Sequence, residues 1–248
     1  MSGETKLIDL VESGKDYRSW NAQAFFGVPY ETIYSDQFHK TLNKALRDLS
    51  KRTNHGANYN MGAGVMLDTM GPEAVAKAKV MLKLPRSFTL RKVTQYLLDV
   101  YAKTYPKVKG LFYDKLIEEI EMTGRLTSAL GHVRIFFSKP SRAPADKQAL
   151  NAAVAHGPQN LSVAIVNSEF YDVWRAQIYG HLQNVIRLKA QIHDSIFFQY
   201  RKNRPDAPQL VCDMMQTAVE VKGADGVTRT MRIPSDISCG KPRWSELK

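Results

Sequence analysis

Residues 47–59 read RDLSKRTNHGANY, and within them Arg47, Lys51, His55 and Tyr59 recur at every fourth position. In an α-helix four residues advance about 40° around the axis, so Arg47, Lys51 and His55 fall within about 80° of one another, with Lys40 and Lys44 beside them. Leu42, Ala45, Leu46 and Leu49 fall on the opposite side at the spacing that buries a stripe against a core. A helix so patterned is anchored on one face and offers fixed cations on the other. Arg47 to Tyr59 spans on the order of 18 Å of helix, enough for a triphosphate, a sugar and a base laid end to end.

The 248 residues are 44% hydrophobic, enough for one large globular domain or two modest ones. Lys and Arg outnumber Asp and Glu by 35 to 24, for a net charge of +11, which favours a polyanionic partner. Membrane attachment is not expected, because the chain has no apolar run near 18 residues and MSGETKLIDL lacks the features of a signal peptide. Cys212 and Cys239 have no CxxC or His-rich companion, so neither a zinc site nor a disulfide framework is indicated. A reducing, cytoplasmic setting fits best.

Working outward, Leu7 to Phe26 is amphipathic and stops at Gly27-Val28-Pro29. Ser35-Asp36 offers an N-cap that starts the basic helix, giving a span of 36–60. Further helices are expected from Gly71-Pro72 to Lys83, from Thr89 to Tyr105 and from Lys107 to Thr123. Ser138 to Asp146, with Pro140 and Pro144, reads as a linker. Helix resumes from Gln148 to Arg187. From Leu188 to Tyr200 the chain is rich in β-branched and aromatic residues around His193-Asp194-Ser195, which predicts a hairpin with polar residues at its bend. Ala218 to Ile237, with GADG at its centre, predicts another. The fold class expected is α+β and mostly helical, a helical region followed by a smaller α+β region.

The basic helix with Arg-x3-Lys-x3-aromatic-Gly-x2-Tyr spacing, followed much later by a His-Asp hairpin, resembles the family A DNA polymerases of the bacterial DNA polymerase I and phage type. KLIDLVESGKDYRSWNAQAFFGVP, YAKTYPKV, TGRLTSALG and the closing IPSDISCGKPRW keep the family's order. The resemblance implies part of a right-hand polymerase fold, with fingers over 1–147 and the C-terminal palm part over 148–248. It implies template-directed DNA synthesis, in which deoxynucleotides are added to a primer 3′ end.

Residue by residue, the resemblance gives Arg47 and Lys51 the incoming nucleotide's phosphates, and Lys51 also the protonation of departing pyrophosphate. Such roles suit phosphoryl transfer, which is catalysed mainly by positioning and by stabilising negative charge. Spaced cations on a helix are in general a solvated face, which is the reading kept for Lys40 and Lys44. Arg18 stands where relatives commonly carry a His on the same phosphates. His55 stands where they carry Phe or Tyr against the sugar, and Tyr59 matches the Tyr beside the templating base. Asp194 matches a ligand of two Mg2+ ions, His193 the residue touching the primer end, and Gln159 a residue in the minor groove near the template strand. An amide or imidazole there tests pairing without reading sequence, because all correct pairs share the minor-groove acceptors. Four further departures from the family pattern are Asn60 for Gly, Ser195 for Glu, Asn151 for Arg and Ala155 for Asn.

The family's other metal-binding Asp belongs to a DxSxxE-like strand that matches nothing in these residues. The resulting expectation is a C-terminal subunit of a split polymerase in a bacterial or phage-infected cell. A second polypeptide would supply that Asp, the thumb and any exonuclease, while primer-template DNA and dNTPs complete the partners. Two alternatives stand beside it: a fragment of a single-subunit RNA polymerase, and a non-catalytic DNA-binding accessory subunit that keeps the fold.

Overall fold

A computed structural model describes residues 2–138 and 147–239. Most of the expected linker, residues 139–146, and the last residues of the closing motif lie outside the described residues. The chain is α+β and mostly helical, and it divides into two compact units. The first comprises the residues up to Leu126, with 135–155 and 224–226; the second comprises 127–134, 156–223 and the residues from Val227 on.

In the first unit the expected amphipathic run over 7–26 is two helices, α1 (Thr5–Glu12) and α2 (Tyr17–Phe26). The break falls at Ser13-Gly14, where Gly14 has φ 69°, and Asp16 then caps α2 by accepting from the Ser19 amide. Gly27 ends α2 in the left-handed region at φ 65°. The basic helix, expected to begin at Asp36, begins at Lys44 instead. Residues 34–41 form a short hairpin of β1 (Tyr34–Ser35) and β2 (Lys40–Thr41), and Asn43 supplies the cap of α3 (Lys44–Asn58) through the Leu46 amide. Asp36 is drawn away by the Tyr30 hydroxyl, which donates to its Oδ1 at 2.6 Å. Lys40 therefore sits on a strand, outside the helical ladder.

The buried stripe of α3 also differs from expectation. Leu46, Leu49, Ser50, Thr53, Asn54 and Ala57 are buried at helical spacing, whereas Leu42 and Ala45 are exposed. Small and polar residues permit close packing here, and Thr53 satisfies its hydroxyl on the Leu49 carbonyl at 2.9 Å.

After α3 come α4 (Ala63–Met70), a helix that its two flanking and internal glycines hid, and α5 (Pro72–Met81), opened by Pro72. Next are α6 (Leu90–Thr104), capped by Thr89, a π-helical turn over Val108–Tyr113, and α7 (Asp114–Thr123). Phe25, Leu46, Leu49, Met66, Leu97 and Tyr101 belong to one continuous core that joins these helices. Burying each such side chain is worth roughly 1.5–3 kcal/mol, which far exceeds the helix propensity of any one segment.

The strands β3 (Arg125–Thr127) and β4 (Val133–Ile135) pair with each other. Helix α8 (Lys147–Tyr179) carries Pro158 inside it and ends eight residues before the expected Arg187. In the second unit, β5 (Ile186–Ile192) and β6 (Ser195–Tyr200) form an antiparallel hairpin with a bulge between Leu188 and Ala190. Leu188, Ile196, Phe198 and Tyr200 pack against a core of Val173, Leu182, Ile186 and Val211, the last contributed by α9 (Ala207–Met214). The Gln177 side chain accepts from the Leu188 amide at 2.6 Å and so ties α8 to β5. A last hairpin pairs β7 (Val219–Lys222) with β8 (Thr228–Met231), the element expected around GADG.

Candidate nucleotide and nucleic-acid site

Helix α3 is held at both ends, which fixes the direction of its polar face. At its C-terminal end the Tyr113 hydroxyl lies 3.1 Å from the Ala57 carbonyl and 2.9 Å from that of Asn58, and Tyr101 donates to the Asn58 side chain. The Tyr113 hydroxyl thus meets the Asn58 carbonyl at the helix end, whereas the Ala57 carbonyl also accepts from the Asn60 amide at 3.3 Å. Arg52, pointing elsewhere, donates to the Met70 carbonyl at 2.9 Å and so caps α4.

On the outward face Lys51 and His55 are exposed and Tyr59 is half-buried. The His55 and Tyr59 rings lie 4.9 Å apart at 56°, a tilted pair one turn apart. No side chain of the described residues holds the Lys51 ammonium. Arg47 behaves differently. Its Nε donates to Asp16 Oδ2 at 3.0 Å and its Nη2 to Asp16 Oδ1 at 2.8 Å, with side-chain exposures of 21% and 15% for Arg47 and Asp16. Burial by itself raises the Asp16 carboxyl, but hydrogen bonds from Arg47 and Ser19 and the Arg47 charge outweigh it, and the carboxyl is held below its usual range. The same contact raises the guanidinium. Sequence reasoning singled out Arg47 and missed Asp16. The available signal was an Asp directly before an amphipathic run, at a position suited to an N-cap. Arg18, on the first turn of α2, is exposed.

The remaining site residues belong to the second unit. Gln159 is exposed on α8 just after Pro158. Three residues earlier, His156 keeps Nε2 buried without a hydrogen-bond partner. Burial first, then the charges of Arg134 and His132, lower its pKa. His193 and Asp194 are the two loop residues of the β5–β6 hairpin, both exposed, and His193 adopts φ 54°. The positive φ at the first loop residue matches the twist that two-residue hairpin turns require. Ser195, expected at the bend, is instead the first residue of β6.

Asp194 makes no hydrogen bond or ion pair with another described residue. Among the described residues no group of three or more His, Cys, Asp or Glu side chains is placed to hold a metal ion. Two-metal phosphoryl transfer needs several oxygen ligands, so one exposed carboxylate does not fit a magnesium pair unaided.

The family model for DNA polymerase family A matches residues 1–245. The chain belongs to DNA polymerase family A. Among curated relatives, the thermostable DNA polymerase I of Thermus aquaticus is 21% identical over 208 residues, covering 84% of this chain and 21% of that protein. The Thermus thermophilus enzyme is 21% identical over 244 residues, 97% of this chain and 24% of that protein. The chain thus spans less than a quarter of the length of these family A relatives. Among solved structures, the POL domain of Pol1 from M. smegmatis, in complex with DNA primer-template and dNTP, is similar with a TM-score of 0.66 at 19% identity. That match covers 87% of this chain and 33% of the other, and it gives the fold: part of a right-hand polymerase domain. Among the described residues of this family A chain, no helix is long and apolar enough to cross a membrane.

Proposed function

We propose that this chain takes part in template-directed DNA synthesis, adding deoxynucleotides to a primer 3′ end. In this reading residues 1–147 act as fingers and 148–248 as the C-terminal part of the palm. One observation carries the reading: in a family A chain, a rigidly anchored helix presents an exposed Lys51 and a His55–Tyr59 ring pair on the face that also carries Arg47. Lys51, Arg47 and Arg18 bind the triphosphate of the incoming nucleotide. Lys51 also gives a proton to the leaving pyrophosphate. His55 faces the sugar and Tyr59 the templating base. Imidazole can stack and hydrogen-bond, so sugar choice rests on different chemistry from that of a phenyl ring. In the second unit His193 contacts the primer end and Gln159 the minor groove.

Asp194 is the proposed magnesium ligand of this chain, and it needs at least one further carboxylate. The proposal therefore includes a second polypeptide that carries that carboxylate together with the thumb, acting in the cytoplasm of a bacterial or phage-infected cell. Primer extension with the purified chain, alone and mixed with that polypeptide, tests both parts. Extension only by the mixture, with dATP preferred over ATP, is the expected result. Full extension by the chain alone would refute the divided arrangement, and preference for ATP would point to RNA synthesis.

The solitary exposed carboxylate also favours a second reading, a non-catalytic DNA-binding subunit that keeps the polymerase fold. In that case Asp194→Ala would leave extension by the complex intact.

A further inference from the structure

The side chain and backbone amide of Asp16 make five polar contacts, and among these partners Arg47 belongs to the proposed nucleotide site. Its Oδ2 accepts from the Ser19 amide at 2.9 Å and from the Ser19 hydroxyl at 2.6 Å. Its own amide donates to the Tyr30 hydroxyl at 3.1 Å, and Tyr30 is tied in turn to Asp36 and, through its amide, to Gln23 at 2.9 Å. The carboxylate is thus fixed by the start of α2, and the Asp16 backbone is held by the segment that leads into β1. Against it lies one edge of the Arg47 guanidinium, the edge formed by Nε and Nη2.

An arginine side chain carries five N–H donors in a planar fork. The two bonds to Asp16 use Nε–H and one hydrogen of Nη2. One hydrogen of Nη1 and the second hydrogen of Nη2 are left on the outer edge, in the geometry that suits a phosphate oxygen pair, while the other Nη1 hydrogen points back toward Cδ. An arginine free to rotate would lose its rotamer entropy on meeting a phosphate. One already clamped side-on has lost it during folding.

We infer that Asp16 is a positioning residue for nucleotide binding, holding Arg47 by its inner edge so that its outer edge meets the triphosphate pre-oriented. The inference rests on the assignment of Arg47 to the incoming nucleotide's phosphates. It gives Asp16 a part in substrate affinity beyond capping α2. The carboxylate also offsets part of the Arg47 charge, which by itself would weaken phosphate binding, so the sign of the effect on affinity is diagnostic.

The test is calorimetric titration of the full chain with dATP and Mg2+, repeated with inorganic tripolyphosphate, for Asp16→Asn, Arg47→Ala and the double variant. Asn keeps the cap on Ser19 while removing the charged clamp. Asp16→Asn is expected to weaken dATP and tripolyphosphate by on the order of tenfold. In the double variant the effect of Asp16→Asn is expected to vanish, because there is no longer an arginine to orient. Unchanged or tighter binding in Asp16→Asn would overturn the inference, as would effects that simply add in the double variant. Unchanged binding in Arg47→Ala, or no dATP binding by the unaltered chain, would instead overturn the nucleotide assignment on which the inference stands.

Discussion

Arg47 and Asp16, 31 residues apart in sequence, form a two-point ion pair at 2.8 and 3.0 Å that joins the first turn of α3 to the N-cap of α2. Both groups are largely shielded from solvent, so the pair is stronger than a surface ion pair, and breaking it leaves a cation with reduced hydration. Asp16→Ala is expected to lower the unfolding free energy by about 2–3 kcal/mol, combining the lost cap with the lost charged hydrogen bonds. Urea titration followed by circular dichroism measures it.

The pH dependence of this pair has a definite sign. Because the Asp16 carboxyl titrates below its ordinary value in the folded chain, its contribution is complete above the ordinary carboxylate pKa of about 4. It disappears as pH falls through the folded-state value. The stability difference between the parent chain and Asp16→Asn should therefore be constant near neutrality and close as pH is lowered from about 5 toward about 2.

Asn60, where relatives carry Gly, has φ 56°, and its amide donates to the side chain of Asn151 at 3.2 Å. Two departures from the family pattern thus meet each other, and Asn is among the residues that best tolerate the left-handed region. Asn60→Ala is expected to cost about 1–2 kcal/mol in thermal or urea unfolding, and Asn60→Gly less than half of that, since Gly removes the strain though not the lost contact.

The Tyr113 hydroxyl reaches the last carbonyls of α3 from a buried position. Tyr113→Phe takes this donor from the Asn58 carbonyl, while the Ala57 carbonyl keeps the Asn60 amide, and should cost about 1–3 kcal/mol. Because Tyr59 follows that helix end directly, amide hydrogen exchange at 57–60 should accelerate, while exchange in β5 and β6 should not change.

Asp194 sits exposed in a two-residue loop and makes no described side-chain contact, so Asp194→Ala should leave stability within about 0.5 kcal/mol of the parent. The same substitution is expected to abolish nearly all primer extension by the assembled polymerase. Retained extension would favour the accessory-subunit reading.

Much of this architecture is written in local sequence. Pro72 and Thr89 mark the starts of α5 and α6 within a residue, and the β-branched and aromatic run around His193-Asp194 gives the β5–β6 hairpin. Local signals fail where a distant partner decides. Ser35-Asp36 has the composition of a cap, but Tyr30 takes the Asp36 carboxylate and the chain turns back through β1 and β2, with His39 at φ 47°. The cap of α3 passes to Asn43. Gly62 and Gly64 disguised α4, whose Met66 and Met70 are buried by the tertiary core rather than by propensity. In the candidate site the four-residue ladder was legible because it is periodic. Asp16 was not, because its role depends on a contact that sequence spacing does not encode.

The central claim, that the outward face of α3 holds a nucleotide's phosphates, is tested most directly at Lys51, an exposed cation that no described side chain neutralises. Steady-state primer extension by the assembled polymerase carrying Lys51→Ala gives kcat and KM for dATP, and fluorescence anisotropy gives the affinity for primer-template DNA. A fall in kcat/KM of about a hundredfold or more, with DNA affinity changed less than about threefold, is the result predicted. Equal losses of nucleotide incorporation and DNA affinity would contradict it and leave α3 as a general electrostatic surface.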